Sequence, residues 1–186
     1  MVEQVSQAWA DDVLQFWFGE LKPEQWFKKD AAVDAAIAGR FAGTHALVDA
    51  SGVAALMESP ETSRAAILVL DQFSRNMFRG TARAFASDPK ALMLAEEVVA
   101  RDWDQSFNNS GRLFVYLPFE HAEDLTNQAR SVALISSLAD DFLTKFALDH
   151  QVIIQRFGRF PHRNDTLGRQ STPEEIAFLQ QPGSSF

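Results

Sequence analysis

The chain has 186 residues, 46% of them hydrophobic, with 16 phenylalanines, no cysteine and a formal net charge of −8. The apolar content supplies a buried core and excludes a disordered chain, and the length suits one domain over residues 1–186. The absence of thiols excludes disulfides and thiolate zinc sites, and the acidic balance argues against general binding to nucleic acid or an anionic membrane.

Residues 1–10 lack the basic-then-apolar order of a secretory signal, and no uncharged apolar run reaches the ~20 residues of a membrane span. A cytoplasmic location is the expectation. Apolar residues recur with helical spacing and almost never alternate. Residues 11–19 predict a first helix, with Val13, Leu14, Trp17 and Phe18 on one side and Gly19 as its stop. Residues 23–27 predict a short helical turn anchored by Trp26 and Phe27. A long helix follows over 30–50, with Val33, Ile37, Phe41 and Val48 apolar. Gly39 and Gly43 each weaken it by ~1 kcal/mol relative to alanine, so close helix packing is expected there.

Ser59-Pro60-Glu61 is a helix start, with a capping serine, a proline at the first position and an acid in the first turn. The nearly continuous apolar run 65–73 makes that helix central, with Asp71 inside the run. Asp88-Pro89 starts another helix, reaching about residue 102. Residues 108–111 predict a loop, and Pro118 is expected to interrupt the apolar stretch 113–117 and to mark a new helix start. A helix is then expected over 120–138, with Leu125, Val132, Leu134, Ile135 and Leu138 turned inward. The last long helix spans 140–157, with Phe142, Phe146, Val152, Ile153 and Phe157 as its apolar residues. Thr172-Pro173-Glu174-Glu175 is a capping box opening a short terminal helix, after which Phe186 is expected to fold back. The result is an all-α class of about seven helices with short connections, hence antiparallel helical hairpins. No 34-residue self-similarity is visible.

Eight of the 17 basic residues fall in two stretches, and all eight are arginine: 64, 75, 79 and 83, then 156, 159, 163 and 169. Arginine suits planar, two-pronged pairing with carboxylate or phosphate, so these stretches are either neutralised internally or offered to an anion. Asp71, Arg75 and Arg79 are four apart, with Asn76 beside them, and share one helix face. Either Asp71 pairs with Arg75 to staple the helix, or it orients an arginine toward a ligand. In Glu120-His121-Ala122-Glu123-Asp124, a histidine and carboxylates share one helical turn. The carboxylates suit the helix dipole; His121 with Asp124 also suits a general base and its orienter, or two ligands of a hard metal. The spacing fits no recognised metal motif. The third group is Arg159, His162, Arg163, Asn164 and Arg169, between the last two helices. These residues are able to grip an anion while His162 donates a proton, or to tie down Glu120, Glu123 and Asp124 as a structural network. His45 and His150 read as ordinary polar-face or core histidines. No phosphate loop, HExxH, Gly-x-Ser-x-Gly or dinucleotide fingerprint occurs, which leaves the cofactor unknown and His and carboxylates as the plausible metal ligands.

The same residues carry a resemblance. Leu70-Asp71-Gln72-Phe73-Ser74-Arg75-Asn76, Phe78-Arg79-Gly80-Thr81 and Ala84-Phe85-Ala86 resemble the signature of a bacterial family catalogued as "domain of unknown function 924". So do Tyr116 to His121, Phe157 to Asn164, Leu167 to Thr172 and Pro182 to Phe186, nearly the whole chain in extent. Ser74 stands where the family has proline, which removes a kink. Ala122 stands where it has serine, which rules out serine chemistry there. The resemblance implies stacked helical hairpins of the tetratricopeptide-like kind and no established activity.

Three functions follow as expectations. One is a small-anion site in which Arg75, Arg79, Arg159 and Arg163 bind phosphate or carboxylate, while His121 and His162, oriented by Asp124 or Asp71, move protons. Another is a helical module whose arginine-lined groove holds an acidic peptide or C-terminus. In the third, the polar motifs form an internal network that fixes the fold.

Overall fold

The computed structural model describes residues 2–185, with side chains from residue 8 onward. The expected fold-back of Phe186 lies outside the described residues. The described chain is all-α, with no strand, and it divides into two compact units. One comprises residues 1–79 with 83–118, the other 80–82 with 119–186.

In the first unit α1 (Val2–Leu14) widens into a π turn over Gln15–Glu20. After α2 (Pro23–Trp26), α3 (Ala31–Ala50) starts where the Asp30 carboxylate accepts the N–H groups of Ala32 and Val33. Then follow α4 (Val53–Leu56) and α5 (Pro60–Leu68), the latter capped by Ser59 as the sequence predicts. A second π turn, Val69–Phe73, leads into α6 (Ser74–Met77), and α7 (Asp88–Ala100) follows. The central helix is where the sequence puts it. Residues Ala65 to Leu70 and Phe73 are fully buried, and α5 packs against both α1 and α7. An aromatic cluster fills the unit, with the rings of Phe41 and Phe73 5.0 Å apart and those of Trp17 and Phe114 5.3 Å apart. Ser74, fully buried, uses its hydroxyl to meet His45 Nε2 at 2.8 Å, so His45 is a satisfied core histidine.

The described residues hold more helices than the expected seven or so, and the expected loop over 108–111 gives way to a helix from Asn109 onward. Four further expectations change. Gly39 and Gly43 are exposed on α3, with nothing within 4 Å of the place a side chain would occupy. No neighbouring helix comes close there. Pro118 does not end a helix: α8 (Asn109–His121) runs through it. A proline in a helix interior costs ~3 kcal/mol. Here Phe114, Val115, Tyr116, Leu117 and Phe119, each at most 5% exposed, hold the helix by burial on either side of it. The single helix expected over 120–138 is two: α8 ends at His121, and α9 (Leu125–Ser136) begins at an Asp124 cap. Gln128 explains the break, because its Nε2 donates to the carbonyls of Glu120 and Ala122 and closes the end of α8 from the side.

In the second unit α9 and α10 (Asp141–Phe157) pack as a hairpin. Asp140 caps the start of α10, and Gly158 closes it at φ 69°, a left-handed conformation suited to glycine. A 3₁₀ turn (Pro161–Arg163) and α11 (Pro173–Leu179) complete the unit. The fourth change is the inward stripe. On α9 it carries Gln128, Ser131 and Ile135, while Leu125 is 53% exposed. On α10 it carries Ala147, His150, Ile153 and Ile154, while Phe142 and Val152 are exposed.

With open space above both glycines, alanine adds helix propensity and meets no clash. Gly39→Ala and Gly43→Ala should each raise stability by ~0.5–1 kcal/mol, read as a higher urea midpoint at unchanged slope.

Candidate functional site

Asp71 sits in the second π turn, 1% exposed, 3.1 Å from Arg75 Nη1 and accepting a 2.6 Å bond from Gln72 Nε2. Arg75 also grips Asp88 with both terminal nitrogens, at 2.8 and 2.9 Å. The stapling reading of Asp71 and Arg75 therefore describes what is seen, with Asp88 as an added partner. Arg79 lies beyond the end of α6, so the expected three-residue helix stripe does not form. It instead reaches Asp34 on α3, again with two bonds of 2.8 Å, and Asn76 adds a third to the same carboxylate at 2.7 Å. Burial opposes ionisation of Asp34, but the Arg79 and Asn76 bonds outweigh it and hold the carboxyl below its usual range.

In the second unit Arg159 meets Glu175 of α11 with two bonds, 2.7 and 2.8 Å, and donates to the Gln170 carbonyl at 2.9 Å. Asn164, fully buried, adds bonds to Ser171 and to the same Glu175. The Arg159 bond foremost pulls Glu175 down to about 2, against the opposing effect of burial and with help from the Thr172 N–H. Arg169 grips Glu123 at 2.6 and 2.9 Å, and the Phe160 N–H donates to the same carboxylate at 2.8 Å. Burial pushes Glu123 up, but these partners win and its carboxyl lies below the usual range. Of the three acids expected to be tied down by arginine, Glu123 is. Asp124 is not: it is exposed and caps α9, accepting from Asn127 N–H and Nδ2 at 2.9 and 2.7 Å. His121 ends one helix and Asp124 caps the next, so the two do not share a helical turn.

Phe160 is the hub of this unit. It is fully buried, its carbonyl accepts from Arg163 N–H and Arg169 Nη2, and three cation-capable side chains surround its ring. The rings of His150 and His162 lie 5.6 and 5.7 Å away, and the Arg163 guanidinium is 4.4 Å from the centroid. Arg163, 6% exposed, also donates to the His121 carbonyl at 3.0 Å. His150 lies on the buried stripe of α10. Its Nδ1 is 2.8 Å from the Phe146 carbonyl, which only accepts, so Nδ1 carries the proton and Nε2 the lone pair. Burial pushes His150 down to about 3; the Phe146 bond opposes this, and the positive fields of His121, Arg163 and His162 add to it. The buried Glu120 carboxylate lies 3.7 Å from His150 Nδ1.

Three of the chain's four histidines thus gather with Glu120 and Arg163 in one unit. Sequence reasoning set His150 aside. The signal for it was its place between Ala147 and Ile154, in the middle of an inward stripe that is otherwise apolar. Glu175 was read only as a cap. Among the described residues no group of three His, Asp or Glu is placed to hold a metal ion.

The class so defined is an all-α protein in whose two helical units Arg75, Arg79, Arg156, Arg159 and Arg169 are bound to carboxylates. Residues 13–183 match the family described as a bacterial protein of unknown function (DUF924), and the chain belongs to that family. It is similar to a solved structure from Agrobacterium tumefaciens, itself a protein of unknown function, at 42% identity and a TM-score of 0.89. That match covers 94% of this chain and 98% of the other. No curated protein matches the chain. Among the described residues no helix is long and apolar enough to cross a membrane.

Glu175 has a folded pKa of about 2 against an ordinary 4.5, so its stabilisation is present above pH 4.5 and is lost as pH falls through about 2. Arg159 keeps 28% of its side chain exposed, which moderates the pair. Glu175→Gln should cost ~1–3 kcal/mol at pH 7. In urea unfolding, its deficit relative to wild type should shrink as the pH is lowered to 3.

Proposed function

We propose that the protein binds a small anion, a phosphate or carboxylate group, beside His121, His162 and Arg163 of the second unit. The observation that carries this reading is the gathering of His150, His162 and a 6%-exposed guanidinium around Phe160, with His121 beside Arg163, in a chain of net charge −8. Arg163 cannot discharge, and its field together with those of His121 and His162 already acts on His150. A bound anion offsets that field. His121 and His162 are half-buried, placed to meet both the interior and a ligand, whereas His150 is sealed.

Arg159 and Arg169 serve this site by position. Their two-pronged bonds to Glu175 and Glu123 hold the segment carrying His162 and Arg163 against α11 and the end of α8. Arg75 and Arg79, committed to Asp88 and Asp34, have the same holding role in the first unit. Within the site, burial keeps His150 neutral through the neutral range, its Nε2 lone pair able only to accept a hydrogen bond, and proton transfer falls to the imidazoles of His121 and His162.

A second reading, that the polar groups only fix the fold, is favoured by the pairing of Arg159 and Arg169. Titration with inorganic phosphate and with citrate separates the two. At a hundred times Kd a ligand stabilises by ~2.7 kcal/mol, and each kcal/mol moves Tm by roughly 2–4 °C for a chain of this length. Wild type should show such a shift, and His162→Ala and His121→Ala should lose it. Absence of any shift, with both variants strongly destabilised, would sink the proposal in favour of the structural network. His150 should show no NMR titration between pH 5 and 8 in the wild-type protein.

A further inference from the structure

The first unit contains a cleft of about 490 Å³ whose walls include Gln15, Phe18 and Gly19 of the first π turn, Arg64 of α5, and Asn108 before α8. That volume falls in the ordinary range of small-molecule sites. Arg64 is unlike the paired arginines. It makes no hydrogen bond or ion pair among the described residues, and its Nε is buried without an acceptor. Its guanidinium lies 4.3 Å from the Phe107 ring centroid and 5.2 Å from that of Phe18. Aromatic faces orient a cation but provide no acceptor for its N–H fork. Burial lowers its pKa, opposed by Glu61, and the group remains charged.

The seat of this guanidinium is specifically shaped. A Cβ placed on Gly111 would lie 2.6 Å from Arg64 Nη1 and 2.9 Å from Phe107 Cβ, so only glycine leaves room for the arginine to lie where it does. Asn108 commits its Oδ1 to the Gly111 N–H at 2.8 Å, which leaves its NH₂ as a donor on the cleft wall. Gln15 adds a second amide, from a π turn, a backbone form that recurs at functional sites.

We propose that this cleft binds a small organic monocarboxylate with an aromatic or otherwise flat apolar body. Its carboxylate accepts the two-pronged fork of Arg64, its body lies against Phe18, and the amides of Gln15 and Asn108 fix its orientation. Charge selects the class. Among the described residues, the cleft offers one cation, Arg64, and one acid, Asp11. Against that balance of zero a dianionic phosphate leaves two uncompensated negative charges and a monoanion one, and a monoanion with an apolar body uses the guanidinium and the aromatic wall together. This site lies in the first unit and is independent of the histidine cluster.

The test uses the full chain, with benzoate and phenylacetate as probes and inorganic phosphate as the competing class, read by calorimetry and by NMR of the Arg64 Nε–H. Benzoate should bind wild type and shift that resonance. Arg64→Met keeps the apolar stem between Phe18 and Phe107 and removes the charge. It should weaken benzoate roughly ten- to hundredfold while leaving Tm unchanged or raised, because an unpaired covered charge is lost. A merely structural arginine would instead lower Tm. Gln15→Ala, which leaves the arginine seat intact, should weaken binding by a smaller factor. Benzoate binding that is absent in wild type, or as strong in Arg64→Met, overturns the proposal; phosphate binding at Arg64 as tightly as benzoate overturns the assigned class.

Discussion

A guanidinium stays protonated throughout the range in which proteins fold, so every arginine the fold covers must find acceptors or remain a standing cost. In this chain that constraint organises the polar interior. Arg75 takes Asp71 and Asp88, Arg79 takes Asp34, Arg159 takes Glu175, and Arg169 takes Glu123. Apart from Arg75–Asp71 within one turn, the pairs join segments distant in sequence, with separations of 13 for Arg75–Asp88 and 46 for Arg169–Glu123. In the second unit the pairing makes a well-ordered loop out of the segment between α10 and α11. Phe160 is its apolar centre, and its own N–H and carbonyl are tied into the Glu123–Arg169 pair.

Helix identity was largely legible from local chemistry. Ser59 and Thr172 cap where their side chains predict, Asp140 and Gly158 bound α10, and the apolar run ending at Phe73 forms the centre of its unit. What escaped was decided by partners rather than by sequence neighbours. The end of α8 at His121 has no glycine or proline to announce it, and it is made by Gln128 reaching back from the next helix. The two phenylalanines of α10 counted as apolar, Phe142 and Phe146, face outward because the hairpin partner selects a stripe through Ala147, His150 and Ile154. Composition marks a residue as able to be buried; only the packed helix beside it decides whether it is.

The polar motifs were visible as arginine clusters in an acidic chain, but a cluster does not say which members are already taken. Arg79 and Arg159 looked like ligand residues and are held by Asp34 and Glu175. Arg64 drew no separate notice, yet it lies among rings with no acid bound to it among the described residues. The difference is geometric. Asp34 and Glu175 project from helices that pass within reach of their arginines, whereas what approaches Arg64 is Phe107 and the bare Cα of Gly111. Both π turns add to this, since each widens a helix at a polar position, Gln15 in one and Asp71 in the other.

Glu175 receives the two nitrogens of Arg159, the amide of Asn164 and the backbone N–H of Thr172. One carboxylate therefore starts a helix, anchors a loop and neutralises a cation. Genetic drift has little freedom at such a position. Exchanging Glu175 leaves Arg159 and Asn164 without their acceptor, and exchanging Arg159 leaves a covered acid behind, so neither can change first without passing through a weakened protein. The residues around Glu175 can be expected to change together across descendants of this chain or to persist as a set, whatever ligand the protein comes to serve.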